Sequence, residues 1–154
     1  MPTLEGITDA GIIAGVSAAA SRDLNSLVAW KLVGNSPNEK AVFNFANKIK
    51  KIQIAQDVFH VSIITGQLDL FKVGHDVINL DMTVAGPIGD INIGHDYESR
   101  SRIRAIGPDG TIDNIFVGHD LDGNMSAENT VGHLKVNGLY NGEVTENGVH
   151  VPER

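Results

Sequence analysis

The sequence predicts an all-β protein: a right-handed parallel β-helix (β-solenoid) of about five coils with an N-terminal cap region. Three observations predict it. Gly-His-Asp recurs at 74–76, 94–96 and 118–120. Short stretches on either side of that corner alternate apolar and polar residues. Glycine is abundant at 17 of 154 residues while aromatics make up only 5%, which suits many turns around a thin aliphatic core. A unit of about 20 residues with two short strands cannot bury a core alone, whereas stacked units can. A meander sandwich would also give short strands, but it does not require the same corner in successive units.

Residues 1–47 do not fit the repeat. Within them "DAGIIAGVSAAASRDL" reads as an Ala-rich helix or as a strand followed by a small-residue turn, and "SLVAWKLVG" and "AVFNFAN" alternate like strands. This segment is expected to cap the first coil or to dock on a neighbour, because an open coil presents unpaired backbone. Residues 48–154 are expected to form the solenoid and a C-terminal tail. Their first strands place Ile52/Ile54, Phe71/Val73, Ile91/Ile93, Ile115/Val117 and Leu134/Val136 inward. Their second strands place Val61/Ile63, Leu80/Met82, Ile103/Ala105 and Met125/Ala127 inward, with Val144 closing the series. "GPDGT" at 107–111 reads as an inserted turn that lengthens one unit. The right hand follows from the preference of parallel crossovers.

At the corner, Gly74, Gly94 and Gly118 are expected to supply positive φ, and the aspartates to accept hydrogen bonds from their own turns. Asp57, Asp76, Asp96 and Asp120 would then stack at strand spacing, and such a ladder of like charges needs compensation. Protonated His75, His95 and His119 could supply it. So could a cation, which makes His75, Asp76, His95, Asp96, His119 and Asp120 candidate ligands for Ca²⁺ or a transition metal. "DLDGN" at 120–124 begins like a calcium loop, but Met125 stands where that loop needs glycine. "GVSAA" at 15–19 is an incomplete nucleophile elbow, and no organic cofactor fingerprint occurs.

The pattern IGxIxVGxDLxGxIxA, drawn from the units between about Ile49 and Thr145, resembles the repeat of secreted bacterial β-strand-repeat surface proteins, and "LKVNGLYNGEV" from Leu134 resembles a bactofilin coil. The resemblance implies a non-enzymatic protein that polymerises end to end, and neither family supplies catalytic residues. The leading expectation is therefore a structural, self-assembling solenoid in a filament, surface layer or appendage, built by head-to-tail contact of copies. The last coil, around Leu134, Val136 and Val144, is expected to meet the N-terminal region of the next copy, with Phe116 as a lateral contact. The alternative is a cation- or carbohydrate-binding module of a larger surface protein. A small polysaccharide-acting enzyme stands third.

The expected setting is extracellular or at the cell surface, with the cytoplasm as the alternative. "MPTLEGITDA" lacks the basic start of a signal peptide, so secretion would make this chain a mature form or a fragment. A formal charge of −7, with Lys48/Lys50/Lys51 and Arg100/Arg102/Arg104 as the densest basic groups, argues against nucleic acid. The absence of cysteine excludes disulfides and thiolate chemistry. No apolar run reaches membrane-spanning length.

Overall fold

The computed structural model describes residues 6–8 and 11–154. It is a β-solenoid of about seven turns, all strand and turn, with no helix among the described residues. The first turn holds β1 (Ile7–Thr8), β2 (Ile12–Ala14) and β3 (Ala18–Ala20). The second holds β4 (Leu24–Ala29), β5 (Lys31–Val33) and β6 (Ala41–Phe45). Then come β7 (Ile49–Ile54) with β8 (Val58–Thr65), β9 (Leu68–Val73) with β10 (Val77–Val84), and β11 (Ile88–Ile93) with β12 (Arg102–Ala105). The last two turns are β13 (Ile112–Val117) with β14 (Asn124–Ala127), and β15 (Val131–Val136) with β16 (Glu143–Glu146). β17 (Val149–His150) follows.

The first strands stack in parallel as a seven-stranded sheet, in the order β1-β4-β7-β9-β11-β13-β15. The expected inward ladder is present. Ile54, Val73, Ile93, Val117 and Val136 lie in register and are buried. Ala29 extends it one turn earlier. Leu24, Ile49, Leu68, Ile88, Ile112 and Val131 form a further buried rung in the same sheet. The second sheet bends where β8 and β10 pass through His60 and Asn79, both at φ 54°. Beyond the bend Met82 pairs with Ile103, and Val84 with Ala105. That register is two residues off the alignment of Leu80 with Ile103. A shift of two keeps the same face inward, so the burial pattern survives it.

The count of turns exceeds the expected five because the segment before Asn47 supplies coils of its own. β4 pairs in parallel with β7, and β5 and β6 pair with β8. Residues 1–5, 9 and 10 of the expected cap lie outside the described residues.

The other end departs from expectation. Asn147 (φ 49°) and Gly148 (φ 75°) make a two-residue turn of the type that matches strand twist, and β17 returns antiparallel to β16. The tail then crosses the last coil. Leu134 and Arg154 exchange two backbone hydrogen bonds, of 2.8 and 2.9 Å. The Val151 N–H donates to Val144 O at 2.8 Å, and Val151 itself is fully buried. The Glu153 carboxylate accepts the Val136 N–H at 2.6 Å. Arg154 pairs with Glu146 at 2.6 Å, which with the Val131 N–H holds the Glu146 carboxyl below its usual range. The β15 edge of the final coil is thus paired by the chain's own tail. Phe116, the expected lateral contact, is half-buried between the outward residues Asn92 and Lys135.

Candidate functional site

The Gly-His-Asp corners align on one edge, as the repeat predicts, but their bonding runs between coils and not within turns. Each aspartate accepts the backbone N–H of the equivalent aspartate one coil on: Asp76 to Asp57 at 3.1 Å, Asp96 to Asp76 at 3.0 Å and Asp120 to Asp96 at 2.9 Å. Asp120 closes the series by accepting the Leu139 N–H at 2.7 Å. The same carboxylate oxygens meet histidine Nδ1. His75 reaches Asp57 at 2.9 Å, His95 reaches Asp76 at 2.8 Å, and His119 reaches Asp96 at 2.7 Å. A carboxylate only accepts, so each Nδ1 carries the proton and donates it.

Proton donors and carboxylates therefore alternate along the edge. Lys31 pairs with Asp57 at 3.0 Å and starts the series. His75 lies between Asp57 and Asp76, His95 between Asp76 and Asp96, and His119 between Asp96 and Asp120. The imidazoles stack face to face, with centroids 4.7 and 4.8 Å apart and planes tilted by 1° and 8°. That spacing is the strand repeat itself. Lys31 was not legible as a member of this series, because its coil lacks Gly-His-Asp and carries a longer loop.

The glycines serve a different purpose from the expected one. Gly74, Gly94 and Gly118 do not have positive φ. A Cβ at Gly74 would overlap the carbonyl oxygen of Ala55, one at Gly94 that of Gly74, and one at Gly118 that of Gly94. Backbone must approach backbone there so that the aspartate can span the gap to the next coil.

Protonation follows the ladder. Burial alone would raise Asp57, but Lys31, the Asp76 N–H and His75 together hold its carboxyl below the ordinary 3.8. Burial is likewise outweighed at Asp96 by the Asp120 N–H and His119. His119 is raised above 6.5, first by its hydrogen bond to Asp96 and then by the charge of Asp120. A raised histidine adds stability that is fully present below its unfolded pKa and is lost as pH climbs through the folded value. A lowered aspartate adds stability that is present above its unfolded pKa and is lost as pH falls through the folded value. The melting temperature should therefore peak between these two ranges and decline on both sides. His119→Gln should flatten the alkaline decline and shrink the part of the acid decline that Asp96 supplies, while the part that Asp57 supplies remains. An unchanged alkaline limb in that variant would contradict the assignment.

The candidate metal ligands do come together. His75, Asp76 and His95 place one ligand atom each within 4.8 Å of one another, and so do His95, Asp96 and His119. A carboxylate on Nδ1 is the usual support for a histidine that binds metal through Nε2. Against chelation, near-parallel rings aim their Nε2 lone pairs side by side. Zinc sits about 2.0–2.1 Å from each nitrogen, so two rings sharing one ion must converge. Elsewhere, the Ser17 hydroxyl of "GVSAA" accepts the Val42 N–H at 2.9 Å. Tyr97 is fully buried, its phenol raised well above 10 by burial and then by Asp81, and it donates to Asn124 O at 3.0 Å. No helix among the described residues is long and apolar enough to cross a membrane. Comparison with protein-family models, curated proteins and solved structures finds no match to this chain.

Proposed function

We propose that this chain is a non-catalytic structural β-solenoid, a rod whose repeated Asp-His corner keeps successive coils in register. One observation carries the reading: every histidine Nδ1 and every aspartate Oδ1 of the corner is engaged with a neighbouring coil. Chemistry repeated at each level and turned inward on the stack serves architecture. The likeness of the repeat to secreted surface proteins supports a setting at the cell surface.

Self-association is assigned to the N-terminal end. The β15 edge of the C-terminal coil is paired by the tail, where Pro152 cannot donate to a further strand. Near the other end, Ile12 and Val16 of the first turn are 55% and 50% exposed and Trp30 of the second is 47% exposed; the apolar side chains exposed at the C-terminal end, Leu139 and Val149 at 61% and 65%, flank a strand edge that the tail already pairs. Contact through one end only gives a closed pair of copies, whereas a filament needs both ends. Sedimentation velocity across a concentration series tests this. The wild type should show a concentration-dependent dimer, weakened about tenfold or more by Ile12→Lys with Val16→Lys, since lysine at an apolar contact must be desolvated. A wild type that stays monomeric throughout overturns self-association. Long polymers in negative stain would restore the two-ended filament.

The ligand clusters favour a second reading, a cation-binding module. Thermal melts with Zn²⁺, Ca²⁺ and EDTA separate the two, because an ion that binds only the folded state raises the melting temperature. The structural reading expects no change. A rise with metal that is reversed by EDTA and absent in His95→Gln would establish the module.

A further inference from the structure

The repeat is interrupted twice on the second sheet, and the two interruptions face each other. The first is the loop of residues 34–40 between β5 and β6, in the second turn. The second lies between Tyr97 and Arg102 in the fifth turn. Val77 is level with Tyr97, twenty positions on, but Asp81 is level with Arg102, twenty-one on, so one extra residue enters there. In solenoids, insertions of this kind gather on the face that binds. Between them lies a cleft of about 390 Å³, within the range of small-ligand sites. Its floor includes Asn79 and Leu80, and its walls carry Lys40, Arg100 and Arg102.

Both walls are tied down. Asn79 Nδ2 donates to Pro37 O at 3.4 Å and pairs with His60 Nδ1 at 3.0 Å. Ser101 is 2% exposed; its hydroxyl accepts the Leu80 N–H at 3.2 Å and donates to Val77 O at 3.3 Å. The cleft is therefore formed before any ligand arrives, which lowers the cost of binding.

The electrostatics of the cleft run against those of the chain. The protein carries −7, yet three cations line this one space. The acid beside them, Asp81, already pairs with Arg104 at 3.4 Å. Among the described residues, Lys40, Arg100 and Arg102 make no ion pair. Leu80 is the one apolar side chain of the lining, and no aromatic ring offers a stacking platform. The remaining polar groups that face the space are the amides of Asn79 and Asn124 and the hydroxyl of Ser99; the Ser101 hydroxyl is engaged with Leu80 and Val77.

We infer that this cleft binds an acidic saccharide, with a sugar carboxylate held by Arg100 and Arg102 and the ring hydroxyls met by the amide and hydroxyl groups. Guanidinium suits a planar carboxylate because its donors form a matching fork. The lack of apolar lining disfavours a greasy ligand, and the polar floor suits a hydroxylated one. The site is independent of the Asp-His ladder and of self-association.

Titration calorimetry with trigalacturonate, its methyl-esterified neutral counterpart and inorganic phosphate tests the inference. Trigalacturonate should bind, and the neutral ester should bind about tenfold or more weakly, as expected when charge-assisted bonds are lost. Arg100→Gln with Arg102→Gln should cost a similar factor and leave the melting temperature unchanged, since both side chains are exposed. Lys40→Gln should weaken binding by a smaller factor. Three results would overturn the proposal: no trigalacturonate binding at millimolar concentration, unchanged affinity in the double variant, or phosphate binding as tightly as trigalacturonate. The last would mark a simple anion site.

Discussion

Gly94→Ala should destabilise the protein by about 3 kcal/mol, at the upper end of what overpacking usually costs. The added methyl would overlap the Gly74 carbonyl oxygen of the coil beneath. That carbonyl has little room to yield. The Gly74 N–H is bonded to Ile54 O at 2.8 Å, and the His95 N–H to His75 O at 3.1 Å, so moving it disturbs two coils. Alanine also stiffens the unfolded chain, which works the other way but by less than 1 kcal/mol or so. For a chain of this size the net loss is roughly 6–12 °C in melting temperature. Gly148→Ala is the matched control. Its φ of 75° makes alanine unfavourable by about 1–2 kcal/mol, but its Cβ would meet nothing within 4 Å. If Gly94→Ala melts no lower than Gly148→Ala, the coils can separate at the corner and the account of close approach is wrong.

Ile93→Asp should prevent folding altogether. Ile93 is fully buried, in register with Val73 below and Val117 above. The substitution removes about 1.5–3 kcal/mol of apolar burial. It also puts a carboxylate into the ladder without a partner, at several kcal/mol more after relaxation. Together these approach the whole stability of a typical domain, about 5–15 kcal/mol. Because each coil rests only on its neighbours, a failure at this central rung severs the stack. Circular dichroism should show loss of strand signal and no cooperative melt. Ile93→Val, which keeps the shape and loses one methylene, should cost only about 0.5–1.5 kcal/mol. A folded, cooperative Ile93→Asp protein would place this side chain outside the core.

The inward ladder was legible in the sequence because side-chain alternation is fixed by strand geometry: Ile54, Val73, Ile93, Val117 and Val136 share a face in any register that differs by an even number. The same property hid the true register of Met82 with Ile103, since a slip of two leaves burial unaltered. The corner's alignment was legible, but its bonding was not. Turn chemistry favours aspartate bonds within a turn, whereas stacking offers Asp57, Asp76 and Asp96 an N–H from the next coil. The first two turns escaped notice because residues 34–40 break the period, and because their corners hold no Gly-His-Asp. The tail's return is signalled by Asn147-Gly148, a strong hairpin dipeptide.

The central claim is that the corner histidines are donors to the carboxylate of the preceding coil. Proton–nitrogen NMR of the imidazoles, recorded through a pH titration, tests it most directly, because the hydrogen bond at one ring nitrogen decides where the proton resides. His75, His95 and His119 should carry the proton on Nδ1 when neutral, each coupled to a low-field Nδ1–H signal that is protected from exchange. His119 should titrate above 6.5. Neutral rings protonated on Nε2, with no protected Nδ1–H, would mean that the ladder does not form and would contradict the account.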